Sequence, residues 1–168
     1  MIWKRGILLF LLALTGLVLE TSVLGVATLD GSKPELLLLM TIALAMNEGP
    51  AFGATAGFVL GIATDVFLGL PKGVSALVFT AVGYGVGRAR AQMSAPTAWL
   101  PIVMVAGATL GGMLAYGGFG MLLGEHVSSR ELFRHAALSS AYNALLTPFV
   151  FPIVRALGAR LRPAGVVR

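Results

Sequence analysis

Apolar residues fill this chain in six blocks, 6–28, 35–47, 51–70, 74–87, 98–123 and 136–157, with only short polar breaks between them. Lipid offers backbone N–H and C=O groups no partner, so a chain that lives in it must satisfy them internally, as an α-helix does. Six spans of about 20 residues take about 120 of the 168 positions. What remains is loops and tails, too little for a soluble catalytic domain or a separate ligand-binding domain. Only 11% of the residues are charged, against about 25% in a soluble domain, so no water-facing surface is available. The expectation is an all-α, polytopic membrane protein of six transmembrane helices, a single integral membrane domain over 1–168.

The chain has no cysteine, which excludes disulfides, iron–sulfur clusters, thiolate zinc sites and cysteine nucleophiles. Two histidines, His126 and His135, are too few to build a metal site, and no cofactor is expected. The net charge of +5 sits at the edges of the apolar blocks, where basic residues report topology rather than nucleic-acid binding. Six spans put both termini on one side. With that side cytoplasmic, the inside holds Lys4, Arg5, Arg88, Arg90, Arg155, Arg160, Arg162 and Arg168, and the outside Lys33, Lys72, Arg130 and Arg134. The positive-inside rule therefore predicts both termini in the cytoplasm.

The first block follows Lys4-Arg5, as a secretory signal would, but its length and the internal Glu20-Thr21-Ser22 favour an uncleaved helix. Pro34 closes a turn after Asp30-Gly31, and Glu48-Gly49-Pro50 breaks the chain again. The block between them, 35–47, rises only about 20 Å as a helix, short of a core about 30 Å thick. The fourth block, 74–87, is also short, and Arg88 and Arg90 are expected to open a polar loop with Trp99 as an interfacial anchor at its far side. Tilt or local thinning of the bilayer would accommodate both. Residues 124–135 are expected to form the one loop with several charges of both signs.

Gly49, Gly53, Gly57, Gly61, Asp65, Gly69 and Gly73 recur every fourth residue, which on a helix draws a slowly wrapping stripe. Glycine lets another helix approach the backbone closely. The partner is either a second protein's transmembrane helix or another span of this chain, and Gly83-Gly87 and Gly107-Gly111 repeat the spacing. Asp65 interrupts the stripe inside a span, where a carboxylate costs about 2.5–3.5 kcal/mol by insertion scales. It is accounted for by protonation, by pairing with Lys72, Lys33 or a backbone amide at a helix end, or by a proton or cation relay. Glu20 is the other acid well inside a span, and Glu48 is placed to cap the third helix, whose positive dipole end favours it. Gly83-Tyr84-Gly85-Val86-Gly87 lacks the strand and lysine of a phosphate loop. Ser128-Ser129 and Ser139-Ser140 have no positioned base, so no catalytic constellation emerges and no enzyme is expected. Tyr142-Asn143 and Thr147-Pro148 are expected to glue helices and introduce a kink.

Pro34-Glu35 with the leucines that follow, Glu48-Gly49-Pro50, then Gly53, Gly57, Gly61, Asp65, Gly69 and Gly73, and onward through Ser75-Ala76-Leu77 and Gly83-Tyr84 to Arg88, resemble in order and spacing the MreD family of rod shape-determining proteins. The family pattern has Pro-Asp where this chain has Pro34-Glu35, a change that keeps the charge. The specific resemblance covers about residues 20–90; beyond Ala91 only length, span count and hydropathy agree. It implies a bacterial inner-membrane protein that works beside the bitopic MreC, the actin-like MreB, the glycosyltransferase RodA and its penicillin-binding transpeptidase. It also implies a fold similar to the substrate-binding subunits of energy-coupling-factor transporters. Two functions follow from it: a non-catalytic scaffold that clasps MreC and supports peptidoglycan synthesis, or a small-molecule-binding subunit of a vitamin-type transporter. Gly53, Gly57, Gly61, Asp65 and Gly69 are the expected interface or packing positions, and Pro34, Glu48 and Pro50 the structural turns and caps. The outer loops carry few groups to line a vitamin pocket, and a lipid-flipping role lacks a basic cavity cluster in the sequence.

Overall fold

A computed structural model of the protein describes residues 2–23, 34–67, 73–93, 97, 99–124 and 128–159. Every regular element among them is helical: α1 (Ile2–Val18), continued by a π-helical turn (Leu19–Val23), then α2 (Leu36–Glu48), α3 (Pro50–Phe67), α4 (Val74–Gln92), α5 (Leu100–Leu122) and α6 (Ser129–Ala159). Helices α3, α5 and α6 are long and apolar enough to cross a membrane, and α2 and the later part of α1 are shorter apolar helices. The six-helix, all-α architecture read from the apolar blocks is therefore the observed one, with three of the expected six spans long and apolar enough to cross a membrane.

Helix α2 is the hub. Leu36 through Ala45 are buried without exception, and the helix touches all five others. A helix that is apolar on every side has to be surrounded, and a helix surrounded by others can be short. Its N-terminus begins inside the bundle, beside the middle of α6. There the side chain of Asn143, with 0% exposure, receives it: Glu35 N–H donates to Asn143 Oδ1 at 3.2 Å, and Asn143 Nδ2 donates to Glu35 O at 3.1 Å and to Thr109 Oγ1 at 3.2 Å. One amide thus pairs with both main-chain groups of Glu35 and ties α2, α5 and α6 together. Asn143→Leu should take from Glu35 N–H its Asn143 acceptor and from the Thr109 hydroxyl its Asn143 donor, while Glu35 O keeps the bond from Leu39 N–H at 3.0 Å, at about 1–3 kcal/mol for each buried bond lost. Loss of the folded monomer on detergent gel filtration is the expected result, and a wild-type elution profile and melting temperature would contradict it.

Two boundaries differ from the apolar blocks. Helix α4 does not stop at Gly87 but runs on to Gln92, so Arg88 and Arg90 lie in its last turns rather than opening a loop. Arginine is a good helix former, and a cation suits the negative end of the helix dipole; charge ends the apolar block without ending the helix. Helix α6 starts at Ser129 rather than 136, which makes the second half of the expected charged loop its opening turns. Leu132 N–H bonds to Ser128 O at 2.9 Å, and Ser128 with Glu131 three residues later is the sequence pattern of a capping box. The remaining spans agree to within a few residues where they are described; positions 24–28 and 68–70 lie outside the described residues.

Candidate functional site

The glycine stripe of α3 is seated against this chain's own helices. A methyl group added at Gly57 would touch the Phe79 carbonyl oxygen and lie 2.5 Å from its carbon and 2.8 Å from Thr80 N. One at Gly61 would touch Ala76 Cα and lie 2.6 Å from Ser75 O. At Gly53 it would meet Ala45 Cβ and Gly83 O, both at 2.6 Å. From the other side Gly83 and Gly87 present themselves to Gly53 and Pro50, with Pro50 N 2.6 Å from a methyl on Gly87. The two glycine rows therefore face each other in antiparallel order, and α3 and α4 pack backbone to backbone. Of the expected interface positions, Gly53, Gly57 and Gly61 lie on this seam, Asp65 ends it, and Gly69 lies outside the described residues.

Asp65 is 3% exposed, and its carboxylate caps the N-terminus of α4. Oδ2 accepts from Gly73 N–H at 2.9 Å and from Ala76 N–H at 3.2 Å, and Oδ1 accepts from Ser75 N–H at 3.2 Å. Gly73, at the N-cap, has a φ of 99°, a left-handed conformation that glycine takes without steric penalty. Of the accounts open for Asp65, this is the backbone amide at a helix end. The arrangement is chemically economical: the first N–H groups of a helix have no intrahelical acceptor, and a carboxylate at that end is also favoured by the dipole. Lys33 and Lys72, its other potential partners, lie outside the described residues.

Glu20 repeats the device one hairpin earlier. It continues the buried stripe Leu9, Leu12, Ala13, Gly16 and Leu17 of α1, is 1% exposed, and its Oε2 accepts from Leu37 N–H at 3.4 Å in the first turn of α2. Each of the two buried acids thus ends an ascending helix and receives the start of the next descending one. Sequence reading placed both acids inside spans but gave Glu20 no role; the sign of one was its fall in register with the apolar stripe of α1. Pro34 is buried beside the start of α2. At the opposite end Glu48 closes α2, Gly49 turns with a φ of 94°, and Pro50 opens α3. Glu48 Oε1 reaches α6, 3.1 Å from where a methyl on Gly158 would sit.

Not every glycine is used inside. Gly107 and Gly111 on α5 are exposed and would meet nothing within 4 Å if given a methyl group. No cluster of histidine, cysteine, aspartate or glutamate suited to a metal ion occurs among the described residues.

Compared with known proteins, the chain is matched over residues 2–157 by the family model described as rod shape-determining protein MreD. No curated protein matches it, and neither does any solved structure.

Proposed function

Since the chain belongs to the MreD family of rod shape-determining proteins, we propose that it acts as a non-catalytic membrane scaffold of the cell-elongation complex, holding MreC and thereby supporting RodA, its transpeptidase partner and MreB in peptidoglycan synthesis. The family match over residues 2–157 carries this reading. In the proposed orientation both termini are cytoplasmic and the protein lies in the bacterial inner membrane. The end bearing Arg88, Arg90 and Arg155 then faces the cytoplasm, as the positive-inside rule favours.

The surface offered to MreC's single transmembrane helix is the outer face of α5. Association of helices in lipid depends on close packing rather than on a hydrophobic drive. Gly107 and Gly111, one helical turn apart and open outward, supply that closeness, with Val103 exposed one turn earlier. The glycines of α3 are already engaged by α4 and serve the scaffold's own rigidity.

The test is a mild-detergent pull-down of tagged protein from native membranes, with co-purifying proteins identified by mass spectrometry. MreC should be recovered with the wild type. With Gly107→Leu/Gly111→Leu, recovery should fall at least about fivefold while the protein's own level and melting temperature are unchanged. Undiminished MreC with this variant removes α5 as the docking face. Recovery of a transporter's coupling subunit and ATPases in place of MreC overturns the scaffold reading itself.

A further inference from the structure

At the end of the bundle that carries Arg88, Arg90 and Arg155, the last turn of α2, the end of α4, the first turn of α5 and the second half of α6 surround a cavity of about 760 Å³. Two prolines of α6 border it. Pro148 and Pro152 each delete a backbone N–H from the helix, which interrupts the hydrogen-bond ladder and holds the ring against the preceding turn. Both prolines line the space.

The lining combines two chemistries. Among the described residues its charged members are Arg90 and Arg155, and no carboxylate lines it. Most of the remaining wall is apolar, with Leu100 and Ile102 from α5 and Phe151 from α6. Arg90 Nη1 donates to Met93 O at 3.0 Å, which steadies the side chain at the end of α4 while using one of the five N–H donors of a guanidinium. Arg155 is exposed. The apolar wall does not end inside the protein: Ile102 is 41% exposed and Ile153, one residue from the lining Pro152, is 60% exposed. A chain lying in the cavity can therefore continue onto the outer surface of α5 and α6, which faces acyl chains in a bilayer.

We propose that this cavity binds one anionic phospholipid, with the phosphate between the guanidinium groups of Arg90 and Arg155 and an acyl chain along Leu100, Ile102 and Phe151. A guanidinium matches phosphate oxygens with parallel N–H bonds and, unlike an ammonium, is only weakly hydrated. Two of them from different helices fix one headgroup at the level where headgroups lie, and an apolar wall below them gives the tail a place that a free phosphate ion has no use for. The volume falls in the range of small-ligand sites, about 300–1,000 Å³. Bound there, the lipid links the ends of α4 and α6 across the cavity, so headgroup charge contributes to the protein's stability.

Native mass spectrometry of the full chain in mild detergent, titrated with phosphatidylglycerol or phosphatidylcholine, tests this directly. Phosphatidylglycerol should give a one-to-one adduct at least about tenfold tighter than phosphatidylcholine, and should raise the melting temperature. Arg90→Gln/Arg155→Gln should lose that preference by about tenfold, while Arg130→Gln/Arg134→Gln at the other end keeps it. Arg155→Gln alone, an exposed substitution, should lose part of it and serves if the double variant is poorly folded. Ile102→Trp, which fills the tail path and leaves both arginines intact, should weaken the adduct as well. Equal binding of the two lipids, or an undiminished adduct in the arginine variants, overturns the site. Stabilisation by inorganic phosphate equal to that by phosphatidylglycerol, with Ile102→Trp silent, overturns the lipid as its occupant.

Discussion

Alanine at Gly57 should leave little folded protein in the membrane, because the added methyl has nowhere to go that does not move a helix. Its neighbours would be backbone atoms: the Phe79 carbonyl, with its carbon at 2.5 Å, and Thr80 N at 2.8 Å. A side-chain neighbour can rotate away, whereas α4 can yield only by separating from α3 along the whole seam, which also disturbs the Gly53–Gly83 and Gly61–Ala76 contacts. Overpacking a core typically costs about 1–3 kcal/mol, and a clash against main chain belongs at or above the top of that range. The comparison is Gly107→Ala on α5, the same exchange where a methyl meets nothing within 4 Å. Gly107→Ala should melt at or above the wild-type temperature, since alanine is the better helix former by about 1 kcal/mol. Gly57→Ala melting within about 2 °C of wild type in detergent would mean that α3 and α4 are not packed through these glycines.

That prediction also separates two roles that a glycine row permits. If a partner's helix docked on Gly53, Gly57 and Gly61, it would have to displace α4 first, since the row is covered by Phe79, Ala76 and Gly83. Loss of partner with Gly57→Ala is then a consequence of lost fold, and it should track the loss of protein level. Loss of partner with normal folding is expected only for substitutions on an open face, and the contrast between Gly57 and Gly107/Gly111 reads out which is which.

The spacing of the stripe was legible in the sequence, but its partner was not. The hint was the second row, Gly83 and Gly87, in the very next helix, since a short connection makes consecutive helices antiparallel neighbours and brings matched rows together. The central position of α2 was not read from the sequence, although its signal was there: 13 residues with no polar face leave no side to turn to water. Its shortness invited a thinned bilayer as an explanation, whereas the bundle instead buries the helix start and answers its backbone from Glu20 and Asn143. Those are contacts between residues far apart in the chain, and no local pattern encodes them. The ends of α4 and α6 were misread for a different reason. Hydropathy locates where apolar character stops, and a helix governed by propensity and capping continues past that point through Arg88 and Arg90, or begins before it at Ser128 and Glu131. The cavity at the ends of α2, α4, α5 and α6 was out of reach as well, because Arg90 and Arg155 lie on different helices far apart in the chain and line one space only through the fold.

Asp65 gives the second large effect, and a graded one. Asp65→Ala leaves the N–H groups of Gly73, Ser75 and Ala76 without the acceptor each now has, in a place that is 3% exposed. With about 1–3 kcal/mol for each stranded donor, the start of α4 should unravel and protein level should fall steeply. Asp65→Asn is intermediate. An amide oxygen in the place of Oδ2 still accepts from Gly73 and Ala76, but the amide NH₂ then faces the Ser75 N–H, donor against donor. One bond is lost and the attraction of a carboxylate for the helix dipole goes with it, so the amide should cost about 1–2 kcal/mol. Melting temperatures in detergent should therefore rank wild type, Asn, Ala, and amide exchange at Ser75 should quicken in the Asn variant before it does elsewhere in α4. A proton or cation relay demands a different order: Asn and Ala equally inactive in supporting rod shape, with Asn folded and as stable as wild type. Cell shape and melting temperature measured on the same two variants distinguish the cap from the relay, because the cap makes shape follow stability and the relay makes it follow charge alone.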